Sequence, residues 1–354
     1  ADEYQTVNKA SNKGIGVLPS DYAYNLSILT NFNQSINQNE HNKYTETIND
    51  THTVCFVMSD GDNIQWLLNW FFTDQRWFGN QNRGQIDIGW TISPALAELA
   101  PTVMNKIYSE AKNTYDGKDY FIAGPSGLSY IYPESYSELE DYASLMNNYM
   151  IKSDLKIVNI IGNNDNDFYL YPFVQQESVN AVFYYDFANY SSLNGNIKFI
   201  NNKPIISGRY NLWGGFENTI SLASKINNQS KNPYSENGYS LIAVHNWSNS
   251  VDSIIKCVSL FDNNIRVVSP DKFVNLIRQN ISPENEEENN IIHIAYPNPT
   301  KGIINIEIRV NIDEIDQVKI INSKGQEINK SQYNVFSNYE DLTSISLDLT
   351  NHRK

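Results

Sequence analysis

The sequence predicts an α/β protein: a (β/α)7-8 barrel-like domain with a small all-β sandwich after it. Three observations carry that expectation. From residue 41 to 281, short apolar strands alternate with longer helix-like segments, the pattern of repeated βα units on a mostly parallel sheet. An acidic run, Ser282-Pro283-Glu284-Asn285-Glu286-Glu287-Glu288-Asn289-Asn290, then offers nothing to bury and reads as a linker over 282–290. Beyond it, residues 291–354 alternate with a period of two, as strands with one buried face do.

Taken in order, residues 1–40 are rich in Asn and Ser and form an N-terminal segment packed on the barrel, organised around Gly14-Ile15-Gly16-Val17-Leu18-Pro19-Ser20-Asp21. The candidate barrel strands are Val54 to Met58, Ile86 to Trp90, Tyr120 to Ala123, Ile157 to Ile161, Ala181 to Tyr185, Pro204 to Ser207 and Leu241 to Val244. That many strands over roughly 230 residues favours a closed or nearly closed barrel over an open doubly wound sheet. No G-x-G-x-x-G opens a helix after the first strand and there is no Walker motif, so a nucleotide-binding fold loses ground. In the tail, Gly302 to Ile308, Val318 to Gly325 and Ile345 to Leu349 are the candidate strands.

Composition narrows the partners. With 26 basic against 40 acidic residues the net charge is −14, and no Lys/Arg cluster tracks a phosphate backbone, which excludes nucleic acid as the expected partner. No apolar run reaches the roughly 18 residues that span a bilayer, so no integral membrane segment is expected. The N-terminus lacks a basic start followed by an apolar core; either a signal was removed or the sequence begins partway into a longer protein. The 23 tyrosines and 6 tryptophans in an Asn-rich chain favour carbohydrate contact. Cys55 and Cys257 sit in no C-x-x-C pair and read as buried free thiols.

Parallel β/α folds place reactive groups beyond the C-terminal ends of their strands. Here the first exit carries Ser59-Asp60-Gly61-Asp62-Asn63, the second Trp90-Thr91-Ile92-Ser93-Pro94 and the third Gly124-Pro125-Ser126-Gly127-Leu128-Ser129-Tyr130-Ile131-Tyr132-Pro133. Tyr130 and Tyr132, two apart in an extended segment, would point the same way and offer a platform to a sugar ring; the alternative is that both pack into the core. The fourth exit holds Asp165, the fifth Asp186, the sixth leads to Arg209 and Trp213, and the seventh ends in His245-Asn246-Trp247. Closure would bring His245 beside Asp60 and Asp62, a candidate acid/base cluster. Glycoside hydrolysis requires paired carboxylates, and since Asp60 and Asp62 are too close in sequence to be assumed to be that pair, Asp165 and Asp186 are candidates for the second. The same first-exit residues could instead form a tight turn with Asp62 or Asn63 capping the next helix. Asn163, Asp165 and Asp167 have the odd-position spacing of a calcium loop, but Phe168 stands where glycine is expected. No His-x-x-x-His or Cys/His cluster supports a zinc hydrolase.

At Leu18-Pro19-Ser20-Asp21, Val57-Met58-Ser59-Asp60-Gly61-Asp62-Asn63, Arg83-Gly84, Gly89-Trp90-Thr91-Ile92-Ser93-Pro94, the glycine-tyrosine loop and His245-Asn246-Trp247, the chain resembles the GxGYxYP proteins of gut and environmental Bacteroidetes. The resemblance covers about Gly16 to Ile281 and implies a glycoside hydrolase. One departure stands out: the family's second glycine in the loop is Ser129 here, which predicts strain if positive φ is needed, or a narrowed ligand space if it is not. A looser similarity to polysaccharide deacetylases, through Val244-His245 and Val267-Val268-Ser269-Pro270-Asp271, supports the architecture, but their metal-binding histidine pair has no counterpart. After the linker, Tyr296-Pro297-Asn298-Pro299-Thr300 with Gly302, and Val318 to Gly325, resemble the type IX secretion C-terminal sorting domain, stopping at Lys354 before its usual last strand.

The residues and the resemblance together imply a secreted or cell-surface carbohydrate-active hydrolase, exported by the type IX machinery and acting on an oligo- or polysaccharide. Asp60, Asp62 and His245 are its expected catalytic groups. Asn63, Arg83, Trp90, Ser126, Tyr130, Tyr132, Asp165, Arg209, Trp213 and Trp247 are its expected substrate contacts. No cofactor or metal ligand is assigned. Two alternatives stay open: a noncatalytic glycan-binding protein, and a carbohydrate esterase or deacetylase holding a divalent metal at Asp60, Asp62 and His245.

Overall fold

The computed structural model describes residues 2–38 and 45–282, and four tail strands within 292–348. The chain divides into two compact units, Ala1–Asn285 and Glu286–Lys354. Apart from Ser282, the expected linker lies outside the described residues, as does the expected strand Val318 to Gly325.

The first unit is a mixed α/β fold around one curled sheet. Its strands are β1 (His52–Met58), β2 (Ile88–Ile92), β3 (Asp119–Ala123), β4 (Ile157–Gly162), β5 (Ala181–Asp186), β6 (Ile197–Ile200), β7 (Lys203–Ser207), β8 (Tyr210–Leu212), β9 (Tyr239–Val244) and β10 (Ile265–Val267). They pair in the order β6-β7-β5-β4-β3-β2-β1-β9-β8, with β10 alongside β1. All pairings are parallel except β6 with β7. Both ends of this path fall on one continuous stretch of chain: β7 pairs with β5, Gly208 N–H donates to Tyr184 O at 3.0 Å, and one residue later Arg209 N–H donates to Leu241 O on β9 at 2.9 Å.

β6 and β8 were not among the sequence expectations, whereas β10 ends at Val267, where the deacetylase similarity implies a strand. β6 is an antiparallel edge strand joined to β7 by Asn201 and Asn202, at φ of 52° and 55°, the left-handed pair that a two-residue hairpin needs. β8, of three residues, is too short to show a pattern of its own. β2 begins two residues later than expected and runs on to Ile92, because Asp87 is taken up as an acceptor for Lys118 N and Ser269 N, at 2.8 and 2.9 Å.

Both faces of the sheet are covered, which is why β1 is buried at all seven positions and reads as an unbroken apolar run. Cys55, Val57, Tyr120, Phe183 and Leu241 point inward to a core that the helix Pro270–Ile281 closes with Phe273, Leu276 and Ile277. Val54, Phe56 and Met58 point outward, into a second apolar layer with Met104, Ile107, Met146 and Ile254 from the surrounding helices. Cys55 and Cys257 are buried free thiols, one in each layer.

The N-terminal segment packs on the strand exits. Its helix Glu3–Ser11 is capped by Asp2, whose carboxylate accepts from Gln5 N at 2.8 Å. Val17 and Tyr130 exchange backbone hydrogen bonds at 3.1 and 2.9 Å, fixing this segment to the loop after β3.

In the second unit, β11 (Ile292–Tyr296), β12 (Ile303–Ile308), β13 (Tyr333–Tyr339) and β14 (Leu342–Asp348) form an antiparallel sheet in the order β11-β12-β14-β13.

Candidate functional site

A cavity of about 490 Å³ opens at the C-terminal ends of the strands. Its wall is built first from the loop after β1. Asp60 adopts φ of 70°, and Gly61 N–H donates to Thr91 Oγ1 at 2.9 Å. A Cβ on Gly61 would lie 2.1 Å from the Thr91 carbonyl carbon, so only glycine lets the loop lie against β2. Asn63 Oδ1 then accepts from Trp66 N at 3.0 Å and starts the helix Ile64–Asn69. The capping alternative therefore holds for Asn63, which lines the cavity as well.

Asp60 and Asp62 share this wall but have different surroundings. Asp60 accepts from Ser59 Oγ and from Trp247 Nε1, the latter at 3.0 Å. Asp62 is 7% exposed, and burial, with the Asp60 charge adding to it, pushes its carboxyl well above the usual range. His245 completes the group from the exit of β9. Its ring lies flat on Trp213, centroids 4.0 Å apart and planes 5° apart, and its Nδ1 lies 2.8 Å from Ser248 Oγ. Burial lowers its pKa while the Asp60 charge pulls it back up.

Aromatic side chains continue the wall outward. Tyr185 stacks on Tyr190 at 5.1 Å, Tyr190 meets Trp213 edge-on at 5.3 Å, and Trp213 meets Phe216 at 5.8 Å. Phe216 is 69% exposed, so the wall leads from the interior to solvent. Opposite, Trp247 is half-exposed and leans on Trp66 and Trp77.

The structure thus gathers Asp60, Asp62, His245, Asn63, Tyr130, Trp213 and Trp247 around one cavity. The other expected contacts lie elsewhere. Arg83 is buried against Asp119, Phe78 O and Glu110 O at the start of β3, the opposite end of the sheet. Trp90 points into the outer layer, donating from Nε1 to Asp119 Oδ1 at 2.8 Å. Ser126 is fully buried, its hydroxyl donating to Ile131 O at 2.9 Å. Arg209 turns away from the cavity, donating to Tyr239 O at 2.9 Å and Glu236 O at 3.1 Å. Asp165 pairs with Lys198, and its neighbour Asn166 caps the helix Asp167–Val174, which accounts for the calcium-like spacing.

Nor do Tyr130 and Tyr132 make a flat platform. Their rings stand 76° apart, with hydroxyls 3.3 Å from each other, and Tyr132 is fully buried against Tyr4 and Phe187.

Several lining residues escaped the sequence reading. Asn159, a lone polar residue in β4, was a legible signal; its Nδ2 donates to Phe183 O at 3.0 Å. Asp2 and Glu3 reach the cavity only because their helix packs across the strand exits, a contact with no local signature. Among the described residues, no group of three or more His, Cys, Asp or Glu is arranged to hold a metal ion. Asp60, Asp62 and His245 share a cavity without forming such a set, so the metal-dependent reading finds no fit in these residues.

The family model described as GxGYxYP putative glycoside hydrolase C-terminal domain matches residues 50–278. The chain belongs to the GxGYxYP family. Residues 294–352 match the secretion system C-terminal sorting domain, which marks the chain for type IX export to the cell surface or the medium. No helix among the described residues is long and apolar enough to cross a membrane. A crystal structure described as a putative hydrolase from Bacteroides thetaiotaomicron VPI-5482 is similar at 36% identity and a TM-score of 0.73, over 80% of this chain and 56% of that one. The chain therefore spans little more than half of that protein's length. The search of curated proteins finds no match.

The GxGYxYP loop resolves the question raised by Ser129. Gly124 and Gly127 have positive φ, of 152° and 81°, whereas Ser129 does not, so the serine is unstrained. Its side chain faces Tyr142 and Gly16 rather than the cavity, with Oγ 3.3 Å from Tyr142 Oη. Neither strain nor a narrowed ligand space follows from it.

Proposed function

We propose that this GxGYxYP protein is an exported glycoside hydrolase whose cavity binds an oligo- or polysaccharide, with Asp62 as general acid and Asp60 as the base or nucleophile. The observation that carries this reading is the divergence of two neighbouring carboxyls. Asp62 is buried, which pushes its carboxyl well above the usual range and favours the protonated form that could give a proton to a leaving glycosidic oxygen. Asp60 is an acceptor oriented by Ser59 and Trp247. His245, set on Trp213, is placed to hydrogen-bond a sugar hydroxyl, and Tyr190, Trp213 and Trp247 offer apolar faces to sugar rings. In the same reading the sheet closes as a barrel, with 203–212 serving as one strand between β5 and β9, so that the exits form a ring around the cavity.

The test is release of reducing ends from a panel of glycans by the full chain and by Asp60→Asn and Asp62→Asn. Loss of turnover with retained glycan binding is expected in both. Full activity in both variants would remove these acids from the mechanism, and binding without turnover by the unmodified protein would make it a glycan-binding module.

A further inference from the structure

The cavity is charged with one sign. Asp2, Glu3, Asp60 and Asp62 line it, and none of its lining residues is Lys or Arg. The arginines that the sequence offered to the site are committed elsewhere: Arg83 to Asp119, and Arg209 to backbone carbonyls; Arg76 pairs with Asp74. The one basic lining group, His245, is pushed toward its neutral form by burial.

Two further features point to what would occupy such a place. The Asp62 carboxyl, more than nine-tenths buried, receives no hydrogen bond from any other residue among those described, although it borders the cavity. A buried acid whose one bond within the protein comes from its own amide is stabilised further by a ligand that brings a donor, most of all a charged one. Glu3, exposed at the mouth, makes no hydrogen bond to the protein among the described residues, and its charge is felt at Asp62, Tyr130 and Tyr190. Between these acids stand the faces of Tyr190 and Trp213, and aromatic faces attract a cation as well as a sugar ring.

We propose that the cavity selects a glycan bearing a protonated amine, an amino sugar without its acyl group, and turns away uronic or sulfated sugars. The inference rests on the cavity being the glycan site. Glu3 is the specificity residue at the mouth, receiving the ammonium as it enters.

The experiment is calorimetric titration of the full chain with three β-1,4-linked oligosaccharides of equal length: glucosamine, glucose and glucuronate oligomers. The glucosamine oligomer is expected to bind about tenfold or more tighter than the glucose oligomer, as one charge-assisted contact provides. Its affinity should fall as salt rises. Glu3→Gln, checked for an unchanged melting temperature, should lower the amine-to-neutral affinity ratio. Equal affinity for amine and neutral oligomers, or a preference for the glucuronate oligomer, overturns the selectivity but leaves the glycan site standing. An unchanged ratio in Glu3→Gln overturns the role of Glu3. Failure of all three probes to bind, together with no reducing-end release from any glycan, overturns the glycan site itself.

Discussion

Trp247 Nε1 donates to Asp60 Oδ1 at 3.0 Å, tying the exit of β9 to the exit of β1, strands that lie side by side in the sheet though almost two hundred residues apart in the chain. The bond orients the carboxylate without blocking it, since Trp247 is half-exposed. Trp247→Phe keeps the ring against Trp66 and Trp77 and removes only the donor. A hydrogen bond to a charged group contributes about 1.5 kcal/mol or more, so turnover should fall roughly tenfold. The melting temperature should hardly move; a fall in stability with turnover intact would make the contact structural.

Asp62 links activity to stability in opposite directions. Its folded-state pKa is raised, so its contribution is fully present below the unfolded value and is lost as pH rises through the folded one. Asp62→Asn should therefore melt at the same temperature as the unmodified protein near about pH 3, and higher than it at neutral pH. Turnover should drop by roughly 10² to 10⁴, the usual contribution of a general acid. Melting curves across pH decide the first point, because a variant less stable at neutral pH would mean the carboxyl is ionised and paired in the fold.

Arg83 serves the fold rather than the site. It is bonded to Asp119 and lies over the Phe78 ring at 3.6 Å, both groups deeply buried. Replacing it with Leu leaves the Asp119 carboxyl without its cation and should cost about 3–5 kcal/mol in denaturant unfolding. Activity per folded molecule should be unaltered. A specific loss of glycan affinity at full stability would contradict this placement.

Gly16 and Ser129 are coupled by lack of room. A Cβ at position 16 would fall 1.8 Å from Ser129 Oγ, so Gly16→Ala should destabilise by about 1–3 kcal/mol through overpacking. Ser129→Gly removes the obstructing atoms and should be mild alone, but should recover most of the loss in the double variant. The coupling energy from a double-mutant cycle measures this directly, and additivity of the two changes would show that they do not touch.

Much of this arrangement was legible in the chain. The apolar run Val54 to Met58 announced a strand covered on both faces, and Ser59 to Asn63 announced its loaded exit, because burial and chain reversal leave local traces in residue type. The motifs identified the family, and the strand count anticipated the curled sheet. The direction of individual side chains was not written there. Trp90 and Trp213 each follow from a strand, yet one points outward to Asp119 and the other faces the cavity, a difference set by which neighbours the sheet brings near. Arg83 and Arg209 look alike in sequence to substrate-binding arginines, and only the folded chain shows acids and carbonyls already holding them. Glu3 is the reverse case, an unremarked residue that a helix lays across the exits. The sequence by itself determined most of the parallel strands, their order along the chain and the family, since those depend on local pattern. The tertiary structure decided which polar groups are free for a ligand, since a buried polar group takes the nearest partner in space and not in sequence.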